Sequence, residues 1–271
     1  VNIEIIARHT SNHQSQHAKA MRDGLKRHGI SCGIVSQFPA NPRTDTVICW
    51  GWRIGQQQAR MGRRVLVMER GYIGDRFAWT SLGWNGLNGR ATFGRREDGG
   101  ERFRAHHADL MKLWRTGGDY VLIAGQVPGD AALAGRCLRG WYEQQAQRAA
   151  VYWLPVKFRA HPLAYRRGGV FDVPGAESIG GELADNLQRA ALVITYNSNT
   201  AVESILAGVP TVAVDAGSMA CGVALPDLPK TLAVPEPDRL TWAHRLAWNQ
   251  FTLAEIESGF AWEVAGSAAN G

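Results

Sequence analysis

The sequence predicts an α/β protein of two Rossmann-like domains facing a central cleft. Two observations carry this. Short apolar runs of strand length alternate with stretches of helical period, as in sheets with helices packed on their faces. That alternation also runs through the chain twice, with one break near residues 116–119. The expected domains are therefore residues 1–117 and residues 118–271.

The first series opens with the apolar run Ile3–Ala7, short enough to be a strand. Thr10, Ser11 and Asn12 follow, all good helix caps. Across residues 13–28, Ala18, Met21 and Leu25 share one helical face, and Gly29 ends the helix. Cys32–Ser36 and Thr46–Trp50 read as strands, separated by a loop containing Pro39 and Pro42. Gly51 closes the third strand, residues 54–61 form a short helix, and residues 64–69 form a fourth strand.

Residues 71–101 carry no helical or strand period. Their Gly, Trp, Asn and Arg content predicts a functional loop rather than disorder. Residues 106–114 read as a helix leaving the first domain. The second series has strands at Tyr120–Ala124, 156–160, 192–196 and 211–214. Its helices fall at 131–148, 182–189 and 200–207. Two closing helices, 238–249 and 253–258, are expected with the second domain.

Composition bounds the function. The chain has 271 residues, 45% hydrophobic and 20% charged, which is ordinary for a globular protein. No run approaches the roughly 20 apolar residues that span a bilayer. The N-terminal residues show no signal peptide, so a cytoplasmic location is expected. The four cysteines are scattered and read as reduced thiols. Net charge is +6 and the pI about 9.4. Much of the excess is arginine: Arg63, Arg64, Arg95, Arg96, Arg102, Arg104, Arg166 and Arg167. Such a surface suits a polyanion, either nucleic acid or a phosphorylated glycan. A solvated basic face is the plainer alternative. The ten tryptophans suit stacking on sugars or bases, or simply core packing. His9, His13 and His17 recur every four residues, but His9 precedes the helix and no carboxylate joins them, so no metal site is expected.

In open α/β sheets, ligands bind beyond the carboxyl ends of the strands. In the second half those ends hold Gln126 and Asp130, Arg159 and His161, then Asn197, Ser198, Asn199 and Thr200, then Asp215 and Ser218. The stretch from Tyr196 to Glu203 is a strand end, a run of small polar side chains and a helix start. A helix start with free N–H groups suits a diphosphate. Glu203, one turn in, suits ribose hydroxyls. A helix cap with a capping box is the alternative.

Gly208-Val209-Pro210 and the strand after it complete a layout that resembles the donor half of GT-B glycosyltransferases. Trp50-Gly51, Gly125-Gln126 with Asp130, and Lys157-Phe158-Arg159-Ala160-His161-Pro162 resemble the capsule-type, Kdo-transferase-like branch. The resemblance spans roughly residues 50–214. Where that branch carries an acid after the fourth strand, this chain has Glu69-Arg70-Gly71-Tyr72, with Arg70 in its place.

The resemblance implies a nucleotide-sugar donor, a UDP-sugar first and a CMP-sugar second, with no other cofactor and no metal. It implies an inverting transfer in which a carboxylate takes the acceptor proton. Asp75 is the first choice and Glu69 the second. Gln126, Lys157, Arg159, His161, Ser198, Asn199, Thr200 and Glu203 form the expected donor site. Arg70, Arg76, Trp84, Asn85 and Asn88 form the expected acceptor side. Charge and size point to a hydroxymethylated base in double-stranded DNA, as in phage DNA glycosyltransferases, which would place the protein in a host cytoplasm. A cell-surface polysaccharide is the alternative acceptor. A nucleotide- or DNA-binding module without catalysis, and a sugar-nucleotide epimerase, also remain open.

Overall fold

A computed structural model describes residues 2–36, 43–166, 170–232 and 237–268. Pro39, Pro42 and Arg167 lie outside the described residues. The chain divides into two compact units, residues 1–106 with 243–271, and residues 107–242.

The first unit starts with β1 (Ile3–Ala7), α1 (Asn12–Arg27), β2 (Cys32–Ser36), β3 (Thr46–Trp50), α2 (Trp52–Arg60) and β4 (Arg64–Arg70). These four strands pair in parallel, with Ile5 set beside both Ile34 and Ile48. The Ser11 side chain caps α1 by accepting from the Gln14 N–H, and Lys26 and Arg27 sit in its last turn, where the helix dipole favours cations. Its Ala18, Met21 and Leu25 face is buried on the sheet, as their spacing predicts.

The segment expected as a long loop is in part a strand. β5 (Trp79–Trp84) runs antiparallel to β4, from Thr80 beside Arg70 to Trp84 beside Leu66. All six of its residues are buried. A strand covered on both faces has no alternation to read, which hid it in the sequence. Next comes α3 (Glu101–His107), five residues earlier than the predicted helix. Asp98 accepts from the N–H groups of Gly100 and Arg102 at its start.

The second unit holds β6 (Tyr120–Ala124), α4 (Arg139–Ala149), β7 (Val156–Arg159), α5 (Pro162–Arg166), β8 (Glu177–Ser178), α6 (Leu183–Arg189), β9 (Ala190–Thr195), α7 (Thr200–Leu206) and β10 (Thr211–Ala213). Its sheet is wholly parallel in the order β10-β9-β6-β7-β8. The helix predicted over 131–148 is shorter, because Ala134 and Gly135 take positive φ after a single 3₁₀ turn and break it. One core packs Val121, Ile123, Leu192 and Ile194 against Tyr142 and Phe158. The other face packs Leu122 and Val193 against Leu187.

The unit boundary recurs inside α8 (Arg239–Ala247), and the chain then returns to the first unit. β11 (Gln250–Thr252) pairs antiparallel with β5, giving the sheet order β11-β5-β4-β3-β1-β2. α9 (Leu253–Glu257) and α10 (Phe260–Ser267) add Ile256, Ala261, Val264 and Ala265 to the core that holds Ile5 and Met21. The single boundary near residue 117 and the placing of the closing helices in the second domain are thus corrected. A pairing between residues 79–81 and 250–252 is beyond any local pattern.

Two buried polar groups fix this return. Arg102, 8% exposed, donates to both Glu255 carboxylate oxygens at 2.6 and 2.9 Å, and to the carbonyls of Ala247 and Gln250. Burial pushes the Glu255 carboxyl up, but the Arg102 and Thr252 hydrogen bonds outweigh it and leave its pKa lowered. The Gln250 side chain is fully buried. Its Oε1 accepts from the N–H groups of Tyr72 and Ile73 at 2.7 and 3.0 Å, and its Nε2 donates to the Ile73 carbonyl. Gln250→Met keeps the volume but orphans these three backbone groups, each worth about 1–3 kcal/mol when buried and unpaired. A loss of about 3 kcal/mol or more is expected in urea unfolding, and an unchanged midpoint would refute this role.

Candidate functional site

The strands of each sheet end in polar and aromatic side chains, and the two units do so with different chemistry.

In the first unit the carboxyl edge gathers α1, the ends of β3 and β4, and the start of β5. His13 and His17, one turn apart on α1, stack on each other at 4.2 Å, and Trp50 meets them edge-on at 4.1 and 4.8 Å. His17 Nδ1 lies 2.9 Å from the His13 carbonyl oxygen, and its Nε2 lies 2.9 Å from Thr80 Oγ1. A carbonyl only accepts, so Nδ1 carries the proton, and a neutral ring then takes the Thr80 hydroxyl proton on Nε2. Arg70 lies over the Phe77 ring at 4.4 Å and the Trp50 ring at 5.4 Å. Burial lowers the pKa of His17, with Arg70 adding to the effect and the His13 carbonyl opposing it. Burial, His17 and Arg70 together lower that of His13 to about 4. Both rings are therefore neutral at pH 7.

Glu69 sits half-buried at the end of β4. Beside it Gly51, at φ 86°, starts α2 without a side-chain cap, and a Cβ there would lie 3.8 Å from Glu69 Oε1. Asp75 is exposed, and its Oδ1 accepts from the Phe77 N–H, closing a turn. Arg76 Nε donates to the Gly71 carbonyl.

In the second unit an amide ladder joins three strand ends. Gln126, after β6, donates to Asn197 Oδ1 at 2.7 Å and accepts from the Asn197 N–H at 3.0 Å. Asn197, after β9 and 3% exposed, donates from Nδ2 to the Ala132 carbonyl and to Asp215 Oδ1, after β10. Beyond the ladder, the hydroxyls of Ser198 and Thr200 lie 3.2 Å apart, and Asn199 donates to Glu203. The Asn199 side chain makes no cap bond to α7 while Ser198 Oγ accepts from the Thr200 N–H at 3.2 Å, so the alternative of a cap is met in part by Ser198 and without a capping box. The neighbouring strand β7 ends in Arg159, which donates to the Gly181 carbonyl, and then His161. His161 Nδ1 accepts from the Leu163 N–H, which puts the ring proton on Nε2.

The structure therefore brings Gln126, Arg159, His161, Ser198, Asn199, Thr200 and Glu203 to one sheet edge, and Glu69, Arg70, Asp75 and Arg76 to the corresponding edge of the other sheet. Four expected residues are elsewhere. Lys157 lies two positions before the end of β7 and pairs with Glu177 at 3.3 Å. Trp84 is buried, and its indole donates to the Ala265 carbonyl. Asn85 receives the Val65 N–H at the opposite edge of the sheet, and Asn88 lies in the 3₁₀ turn that follows. Because β5 runs antiparallel, it carries Trp84, Asn85 and Asn88 away from the carboxyl edge, so they are corrected as acceptor contacts. Gln126 stays at the edge, held by Asn197 through both ends of its amide. The His13–His17–Trp50 cluster was missed. The four-residue spacing showed in the sequence, but its partners come from two other strands.

No protein-family model and no curated protein matches this chain. Solved structures do. One is the KpsC beta Kdo 2,7 transferase of Thermosulfurimonas dismutans, at 13% identity over 96% of this chain and 98% of that one, with a TM-score of 0.61. Another is the KpsC beta Kdo 2,4 transferase of Thermosulfurimonas dismutans, at 15% identity over 92% of each, with a TM-score of 0.62. The chain has the GT-B fold. The likeness extends through both Rossmann-like units and so includes the segment that returns to the first. Among the described residues no helix is long and apolar enough to cross a membrane, and no group of three or more His, Cys, Asp or Glu residues is placed to hold a metal.

The lowered His13 pKa makes the first GT-B unit sensitive to acid. The unfolded chain protonates this ring near pH 6.5 and the folded chain only near pH 4. Between those values the unfolded state binds more protons, so stability falls as pH drops from 6.5 towards 4. His13→Asn is expected to flatten that part of the profile. Urea midpoints for both proteins at pH 7 and pH 5 check this, and parallel profiles would refute it.

Proposed function

We propose that the protein is an inverting glycosyltransferase that moves a sugar from a nucleotide-sugar donor to an acceptor hydroxyl. The observation that carries this is the Gln126–Asn197–Asp215 ladder. It fixes three adjacent strand ends, where open α/β sheets bind nucleotides, and sets Ser198, Thr200 and Glu203 beyond them. Arg159 and the Nε2–H of His161 supply positive charge and a donor for the departing phosphate. A UDP-sugar is the first donor to test and a CMP-sugar the second.

Glu69 is the base in this reading. It removes the acceptor proton as that oxygen bonds to the anomeric carbon and the bond from that carbon to the phosphate oxygen breaks. It sits half-buried at a strand end, whereas Asp75 is exposed and its Oδ1 is engaged by the Phe77 N–H in a turn. Arg70 stands where the resemblance expects an acid, and its guanidinium suits binding an acceptor group but not accepting a proton.

A hydroxymethylated base in double-stranded DNA is the proposed acceptor, supported by the net charge of +6 and the pI of about 9.4. A cell-surface glycan is the second reading, favoured by the fold likeness to two Kdo transferases.

The test incubates the protein with a panel of nucleotide sugars, with and without hydroxymethylated duplex DNA, and follows free nucleotide and DNA mass. Nucleotide release with a sugar-sized mass gain on DNA is expected. Release without that gain would move the acceptor to a glycan, and no release with any donor would refute the transferase. Glu69→Gln is expected to lower turnover by about 100-fold or more with donor binding intact. Asp75→Asn is expected to stay within about threefold. The reverse order would reassign the base.

A further inference from the structure

The first unit holds a polar cavity away from the strand ends. It measures about 450 Å³ and is lined by residues 91–97 together with Arg245, Trp248 and Asn249. It lies by the far half of β5, since Thr92 and Trp84 exchange backbone hydrogen bonds and Leu82 N–H donates to the Asn249 carbonyl. Trp84 is four residues along β5 from Thr80, which places this region about 13 Å from the His17 contact.

Three arginines line the cavity: Arg95, Arg96 and Arg245. None of them forms an ion pair or a hydrogen bond through its side chain among the described residues. Glu97 also lines it, leaving cations in excess. Elsewhere in this unit Arg102 is paired with Glu255 and Arg22 with Asp23, and Arg76 donates to the Gly71 carbonyl.

The wall is built rather than loose. Arg96 packs on the Trp248 and Phe260 rings at 5.2 and 5.3 Å. The Thr92–Trp84 bridge pins one end of the arginine-bearing segment and the Asp98 cap pins the other. Between them Gly94 lies so close to α10 that a Cβ there would meet the Val264 carbonyl oxygen at 2.0 Å. Such anchoring holds charges of one sign together, at a cost that a bound anion would offset.

We propose that this cavity is a phosphate-binding site, distinct from the strand-end sites, that takes a ligand with at least two phosphates. Guanidinium groups match phosphate oxygens in paired hydrogen bonds, and the volume falls in the range of small-ligand sites. Neighbouring phosphates of a nucleic-acid strand and a free diphosphate share this chemistry. The site does not depend on the transferase reading, because binding is measured without turnover.

The test uses the full chain and the double variant Arg95→Ala/Arg245→Ala. Both side chains are exposed and make no bonds whose loss would unfold the protein. Binding of inorganic pyrophosphate is followed by calorimetry, and binding of a labelled DNA duplex by anisotropy over a range of salt. The double variant Lys19→Ala/Arg60→Ala, which removes the same two charges at exposed positions of α1 and α2, controls for net charge. The Arg95→Ala/Arg245→Ala variant is expected to weaken pyrophosphate by about tenfold or more. If duplex binding weakens with it, and the slope of log affinity on log salt falls by roughly 2, the ligand is a phosphodiester strand. If pyrophosphate alone weakens, the ligand is a free phosphate compound. Unchanged affinity for both, or an equal loss from Lys19→Ala/Arg60→Ala, would overturn the proposal.

Discussion

The first unit depends on a single buried amide. Gln250 lies about 180 residues after the turn it holds, yet its side chain satisfies three backbone groups of Tyr72 and Ile73 directly after β4. A buried backbone group without a partner costs more than an ordinary hydrogen bond contributes, so this contact strongly favours the return of the chain. The same turn carries Gly71, where a Cβ would lie 2.5 Å from Trp79 Cβ and 3.1 Å from Gln250 Oε1. The path of the chain beyond Glu69 and Arg70 is thereby fixed from the far end of the sequence. Arg102 reinforces the arrangement by donating to the Gln250 carbonyl and to Glu255.

The two sheet edges are built from different chemistry. The first is aromatic and cationic: two neutral imidazoles packed edge-on against Trp50, with Arg70 close by. Burial accounts for most of their neutrality and the guanidinium adds to it. The second is an amide ladder with little formal charge, in which Asn197 serves both Gln126 and Asp215. Fully satisfied polar networks of this kind hold their members in one geometry, which suits a rigid floor for a ligand.

The fold and the chemistry of the site are separate matters. Two Kdo transferases share the architecture at 13% and 15% identity, and at that distance the likeness extends to the path of the chain and not to its side chains. Arg70 illustrates the difference. The strand that carries it ends where the fold leads one to expect, while its guanidinium reverses the charge that the resemblance places there.

The sequence by itself determined most of the element order and pointed to the carboxyl edges of the strands, where open α/β sheets bind ligands. Local signals sufficed for this: the Ser11 cap, the Ala18–Met21–Leu25 face, and apolar strands ending in Trp50-Gly51 and Tyr196-Asn197. The sequence also exposed the four-residue recurrence of His13 and His17, but not the Trp50 and Thr80 contacts that make it a cluster. Only the tertiary structure revealed β5, whose six buried residues have no alternation, and so moved Trp84, Asn85 and Asn88 away from the site. It likewise decided that Lys157 is paired with Glu177, that Gln126 is tied to Asn197, and that the last two helices belong with the first sheet. The physical reason is common to all of these. Caps and periodic faces act within a few residues, whereas burial on both faces and pairing between distant segments are set by neighbours that the local chain does not specify.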